Sequence, residues 1–146
     1  MSVRSGSGPS LHHLEAGAGD DLVLVHGGTG GGANWFRIIP LLSPHYHVLA
    51  PDLPGFGLSE RAPPVAPMSV NAADALVRWR DGQGCRRVQP TTVMSGGRDR
   101  LLPIAHAHHA AAHLPSARLH VLPFAGHSPN WEAPEEVAAA IRARAS

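Results

Sequence analysis

The sequence predicts an α/β fold, a mostly parallel sheet with helices on both faces. Three observations predict it. Short apolar runs recur along the 146 residues at Leu22–Val25, His47–Ala50, Thr91–Met94 and Leu119–Phe124, each bounded by Gly, Pro or a charged residue. Continuous Val/Leu runs of this length suit strands covered on both faces. Segments of helical length separate them, and such alternation implies right-handed strand–helix–strand crossovers.

Taken in order, a Ser/Gly-rich beginning precedes a small strand at Leu11–Glu15. The first principal strand, Leu22–Val25, runs into "HGGTGGGAN" (His26–Asn34). A short helix is expected within "ANWFRIIPLLS" (Ala33–Ser43), although Pro40 lies in its middle or end, where it breaks the hydrogen-bond ladder. His47–Ala50 then delivers Asp52 to a Gly/Pro-rich loop, Pro54–Pro67. A helix over Ser69–Arg80 follows, with Ser69 as N-cap, Val70, Ala73 and Val77 on one face, and Gly82 as its stop. The Ala/His segment Ile104–Pro115 separates the third and fourth strands. In the last helix Pro134 suits the first position, Glu135 and Glu136 favour the first turn, and Val137 and Ile141 lie four apart.

Composition excludes several functions. A formal net charge of +1 without any Lys/Arg block offers nothing to nucleic acid. No apolar run approaches a membrane span, and the first residues lack the apolar core of a signal peptide. The single cysteine, Cys85, excludes an internal disulfide and metal-type Cys spacing. The expectation is one cytoplasmic domain, 1–146, without a cofactor.

Chemistry in such folds gathers in loops at the carboxyl ends of strands. Here these are His26–Gly32, Asp52–Ser59, Gly96–Asp99 and Gly126–His127. The glycine loop has two functional readings. Gly28–Ala33 satisfies G-x-G-x-x-A, and Asp52 lies 20 residues past Gly32, which together imitate a dinucleotide fingerprint with its ribose-binding acid. Alternatively, His26-Gly27 begins an oxyanion loop in which the Gly28 amide faces developing negative charge. A tight strand–helix turn with no ligand would also look like this.

The next motifs bear on the choice. The order HG-G…W, then "PDLPGFGLS" (Pro51–Ser59), a helix like "SVNAADAL", "GGRDRLLP" (Gly96–Pro103) and "AGHSPNWEAPEEV" (Ala125–Val137) resembles the α/β-hydrolase superfamily, in its esterase, lactonase, haloperoxidase and dehalogenase branch. The resemblance spans nearly the whole chain. It implies a shortened, contracted three-layer α/β-hydrolase-like sheet and cofactor-free hydrolysis of a carboxylic ester or related bond in a small-molecule substrate. Carried over residue by residue, it makes His127 the general base, Asp99 its orienting acid and Gly28 an oxyanion-hole donor. His26 would brace the oxyanion loop and Asp52 would hold its own turn.

The nucleophile is missing. No G-x-S-x-G, G-x-C-x-G or G-x-D-x-G occurs anywhere in the chain. The family's nucleophile strand, its helix and usually a cap belong where this sequence runs directly from "GCRRV" to "QPTTV", a seam near 88–90. Ser95 is a weak substitute, since Val93 stands where a strained elbow needs a small residue. Ser59 matches the P-G-x-G-x-S turn instead, and Cys85 lacks an elbow. Contraction would place Thr91–Met94 beside Leu22–Val25, in a sheet ordered His47–Ala50, Leu22–Val25, Thr91–Met94, Leu119–Phe124. Its edges could drive self-association. His106, His109 and His113 share roughly one helix face and read as exposed residues before they read as metal ligands. Trp35 and Trp131 read as packing residues, although Trp35 is close enough to the glycine loop to wall an acyl pocket. The expected function is therefore very slow hydrolysis, with a non-catalytic interaction module or the product of a deleted gene as alternatives.

Overall fold

Parallel strands require a crossover, and the chain provides one in each half. The computed structural model describes residues 11–61, 68–83, 91–114 and 116–145, and the side chains of all of these except 68–74, 144 and 145. Two compact units result, Met1–Arg87 and Val88–Ser146. Their boundary falls beside the seam read from the sequence.

In the first unit β1 (His13–Ala16), β2 (Asp21–Val23) and β3 (His47–Pro51) form a sheet ordered β1-β3-β2. β3 runs antiparallel to β1 and parallel to β2. The amide of Leu24 donates to the Leu49 carbonyl at 2.8 Å, carrying the β2–β3 pairing one residue further. The crossover between them contains a 3₁₀ turn, Gly32–Trp35, and α1 (Ile39–Leu42). The short helix expected within Ala33–Ser43 is thus α1, and it covers only Ile39–Leu42. Pro40 is the reason: it sits in the first turn of α1, where a missing N–H leaves no bond unmade.

The apolar run of β3 is central, with Val48, Leu49 and Ala50 almost fully enclosed. Leu49 packs with Leu11 and with Trp79 of α2 (Met68–Gly82), and Val23 and Leu76 border the cluster. Ala75, Leu76 and Trp79 therefore define the inward face of α2, while Val77, expected to face inward, is exposed. The large indole decides the orientation because it has most apolar surface to remove from water. The side chains of Val70 and Ala73 lie outside the described residues.

One residue joins all three strands. His47, at the start of β3, places Nε2 2.8 Å from Glu15 Oε1 on β1 and Nδ1 2.7 Å from Asp21 Oδ1 on β2. Ionised carboxylates only accept, so both ring nitrogens carry protons. Hydrogen bonding to Asp21, and then to Glu15, raises the His47 pKa from its ordinary value against the opposing effect of desolvation. The unfolded group titrates near 6.5, roughly the usual value for histidine. A raised folded pKa stabilises the fold fully below that pH, and the contribution disappears as pH rises through the folded value. The urea midpoint of the wild type is therefore expected to fall between mildly acid and alkaline pH relative to His47→Gln. A constant difference between the two proteins across that range would overturn the prediction.

In the second unit β4 (Thr92–Gly96) and β5 (Arg118–Leu122) pair in parallel, Thr92 opposite Arg118 and Gly96 opposite Leu122. α3 (Ile104–His113) is their crossover, and α4 (Pro129–Glu132) and α5 (Pro134–Ala145) follow. Leu122, Ala125, Val137 and Ala138 are buried, and Ala107 is the buried residue of α3. Arg118, His120 and Val121 of β5 are exposed, so this strand is not covered on both faces as expected. Two strands alone present too little sheet to be enclosed.

Among the described residues, hydrogen-bonded ladders join β1 and β2 to β3 in the first unit, and β4 to β5 in the second. The contracted α/β architecture thus has a mixed three-stranded sheet in the first unit and a parallel two-stranded one in the second. β2 has only three residues, and by Val25 the chain has left the strand for the glycine loop, so little edge is offered to a further partner.

Candidate active site

The exits of β4 and β5 lie side by side because the strands are parallel and in register. The Gly97 amide donates to the Leu122 carbonyl at 2.8 Å and the Arg98 amide to the Ala125 carbonyl at 2.9 Å. Gly96 permits this approach: a Cβ there would overlap the Gly126 carbonyl oxygen. The two loops deliver Asp99 and His127 to each other, with His127 Nδ1 2.9 Å from Asp99 Oδ2.

The other carboxylate oxygen, Oδ1, accepts from the amides of Leu101 at 2.8 Å and Leu102 at 3.0 Å. Asp99 thus closes an Asx-type turn and orients a histidine at once. The Leu102 amide, the His127 ring and the Leu101 amide hold its carboxyl below the ordinary range, against the opposing effect of desolvation. A carboxylate at Nδ1 calls for the tautomer with its proton there, leaving the Nε2 lone pair to take a proton. The His127 side chain is 38% exposed, so water can reach it.

Ser95 lies within β4 opposite Val121, in regular parallel pairing. Among the described non-glycine residues only Ser116 has a left-handed φ, so Ser95 does not occupy a strained elbow. Ser59 is structural: its hydroxyl donates to the Asp52 carbonyl at 2.8 Å and accepts from the His12 amide at 2.9 Å. Cys85 and the seam at 88–90 lie outside the described residues.

Gly28 belongs to the first unit, in an exposed turn. The buried His26 braces that turn, its Nδ1 donating to the Gly27 carbonyl at 2.7 Å and its Nε2 accepting from the Leu53 amide at 3.0 Å. The steric demand for glycine falls later in the run than the motif suggests. Nothing lies within 4 Å of a Cβ on Gly28, whereas one on Gly32 would overlap the Ala50 carbonyl oxygen. Asp52 Oδ1 accepts from the Gly32 amide at 2.6 Å, and Oδ2 accepts from the Leu58 amide at 2.9 Å and meets His12 Nδ1 at 2.8 Å. With both oxygens engaged and the residue 5% exposed, Asp52 has nothing left for a ribose, which removes the dinucleotide reading.

On α3 the rings of His109 and His113 stack at 4.0 Å, and His113 Nδ1 donates to the His109 carbonyl. Among the described residues no three His, Cys, Asp or Glu side chains are gathered as metal ligands. Trp35 is half-buried, and Trp131, expected to pack, is exposed. A residue that the sequence reading overlooked is Glu132, whose carboxylate grips the amides on both sides of His127. Its spacing, five residues after the histidine and two before Pro134, was the available signal.

An acid and a histidine thus meet at the exits of adjacent parallel strands joined by a crossover helix. The model of the α/β hydrolase fold family matches residues 21–80. Over 53 residues the chain is 45% identical to 2-hydroxy-6-oxo-6-(2'-aminophenyl)hexa-2,4-dienoic acid hydrolase of Metapseudomonas resinovorans, covering 34% of this chain and 18% of that protein. Over 43 residues it is 51% identical to the pimeloyl-[acyl-carrier protein] methyl ester esterase of Photobacterium profundum, covering 30% and 17%. The meta-cleavage product hydrolase of Pseudomonas fluorescens IP01 superposes with a TM-score of 0.74 at 15% identity, covering 94% of this chain and 95% of that one. A thermophilic esterase from Thermogutta terrifontis gives 0.71 at 19% identity, covering 90% and 91%. Residues 21–80 thus match the α/β hydrolase fold family, and the chain as a whole shares the fold of these solved hydrolases. Its matched stretches span about a fifth of the length of these curated relatives.

Proposed function

We propose that this chain is a slow hydrolase of small carboxylic esters, in which His127 is the general base and Asp99 its orienting acid. The observation that carries the reading is the 2.9 Å contact between His127 Nδ1 and Asp99 Oδ2, which reserves Nε2 for proton transfer. With no elbow serine in the sequence, water is the attacking group. Its proton passes to Nε2 as its oxygen bonds to the acyl carbon; the bond to the leaving oxygen then breaks, and Nε2 returns the proton to a departing alkoxide, whereas a phenolate leaves without it. Asp99 stabilises the imidazolium formed and does not take its proton. In the first unit we assign the Gly28 amide to the oxyanion loop by the family pattern. The ester class is supported by the esterase among the relatives, whose identity covers only part of this chain.

Loss of a serine nucleophile leaves at most about 10³–10⁴-fold acceleration over water. The test is p-nitrophenyl acetate hydrolysis by the wild type and by His127→Ala, Asp99→Asn and Ser95→Ala. Slow turnover is expected without an acyl-enzyme burst, nearly abolished in His127→Ala, reduced in Asp99→Asn and unchanged in Ser95→Ala. A rate indifferent to His127→Ala would remove the relay from consideration. A second reading, a non-catalytic interaction module, is favoured by Leu101 and Phe124, which are 72% and 74% exposed in the loops that carry Asp99 and His127. Turnover indistinguishable from buffer would select it.

A further inference from the structure

Glu132 ends α4, and its carboxylate folds back over the loop that carries His127. Oε2 accepts from the Gly126 amide at 2.7 Å and Oε1 from the Ser128 amide at 3.1 Å. These two amides flank His127 in the chain. The Ser128 carbonyl in turn accepts from the amides of Trp131, at 2.9 Å, and Glu132, at 3.0 Å, so the loop and the short helix close on each other. Gly126 gives the carboxylate room, since a Cβ there would stand 3.1 Å from Glu132 Oε1. Neither the Ala125–Gly126 nor the His127–Ser128 peptide plane can turn without breaking one of these charge-assisted hydrogen bonds.

We propose that Glu132 is a positioning residue, fixing the Gly126–Ser128 backbone at the setting in which His127 Nδ1 meets Asp99 Oδ2. Glu132 is exposed and has no part in proton transfer; it acts through the backbone that carries the base. Its effect on turnover rests on the proposed function, whereas its effect on the histidine does not. A carboxylate accepts from both amides. A glutamine accepts through one oxygen and turns an NH₂ group towards the other amide, so it keeps one bond and loses one. An alanine keeps neither.

The deciding experiment is NMR of the full chain labelled with ¹⁵N-histidine, comparing wild type, Glu132→Gln and Glu132→Ala, with His127→Ala to assign the ring. The wild type should show His127 as the Nδ1–H tautomer, with a low-field imidazole proton from its bond to Asp99. Glu132→Ala should lose that proton signal and populate both tautomers, and Glu132→Gln should fall between. In the same series p-nitrophenyl acetate turnover should drop about tenfold in Glu132→Ala, as expected for a slightly misplaced base, with Glu132→Gln recovering part of it. If Glu132→Ala does not fold, a weakened low-field signal in Glu132→Gln supports the proposal and an unchanged one overturns it. An unchanged tautomer and low-field proton in a folded Glu132→Ala also overturn it. A wild type without esterase activity would reject the proposed function, and the NMR comparison would still decide the role of Glu132.

Discussion

Gly96→Ala is expected to cost the second unit about a third or more of its stability. The new Cβ would overlap the Gly126 carbonyl oxygen and stand 2.5 Å from the carbonyl oxygen of Ala125. Both are backbone atoms, so no side chain can rotate away. The loop cannot retreat freely either, because the Arg98 amide holds the Ala125 carbonyl and Glu132 holds the Gly126 amide. Overpacking of this kind costs about 3 kcal/mol. A domain the size of Val88–Ser146 has roughly 3–9 kcal/mol in total at typical per-residue stabilities. Amide exchange of β5 is the measurement, and protection is expected to fall throughout Arg118–Leu122. Gly28→Ala is the control, since open space surrounds that position, and its stability should stay within about 0.5 kcal/mol of wild type. Wild-type protection of β5 in Gly96→Ala would show that the two loops are not held together as described.

The contrast between these glycines marks what the sequence makes legible. Apolar runs locate β2, β3, β4 and β5, and β3 is buried as its Val-Leu-Ala run implies. Asp99 and His127 follow from strand-exit logic and the family pattern, and their meeting needs only two parallel strands in register. Steric need is harder to read, because the atom that forbids a Cβ at Gly96 comes from a segment 30 residues away. The inward face of α2 follows Trp79, whose bulk leaves Val77 exposed. Local pattern identifies β2 and β4 as strands, but which strands become neighbours depends on edges that the pattern does not encode. Glu132 escaped attention because a glutamate at a helix end looks like solvent-facing charge until its two amide partners are seen.

Asp52→Ala should have an effect of similar size in the first unit. One carboxylate ties the Gly32 amide, the Leu58 amide and the His12 ring to the exit of β3. Truncation would leave the buried Gly32 donor without a partner and release the turn from Pro54 to Ser59. Unsatisfied donors cost about 1–3 kcal/mol each when buried, so a loss of about 3 kcal/mol is expected. In a domain of this size that lowers the melting temperature by on the order of 10–20 °C. The pH dependence carries a second signature. Burial works to raise the Asp52 pKa, but the amides of Leu58 and Gly32 and the His12 ring outweigh it and leave the group below its ordinary value. A depressed folded pKa stabilises the fold above the unfolded value, about 3.9, and the contribution is lost as pH falls through the folded one. The wild type should therefore lose stability on acidification more steeply than Asp52→Ala, which has no such carboxylate to protonate. Equal acid limbs, or a melting temperature within a few degrees of wild type, would reject this role for Asp52. The loss should also reach the glycine loop, because Asp52 anchors its end at Gly32, and exchange at Gly31 and Gly32 should rise before β3 opens.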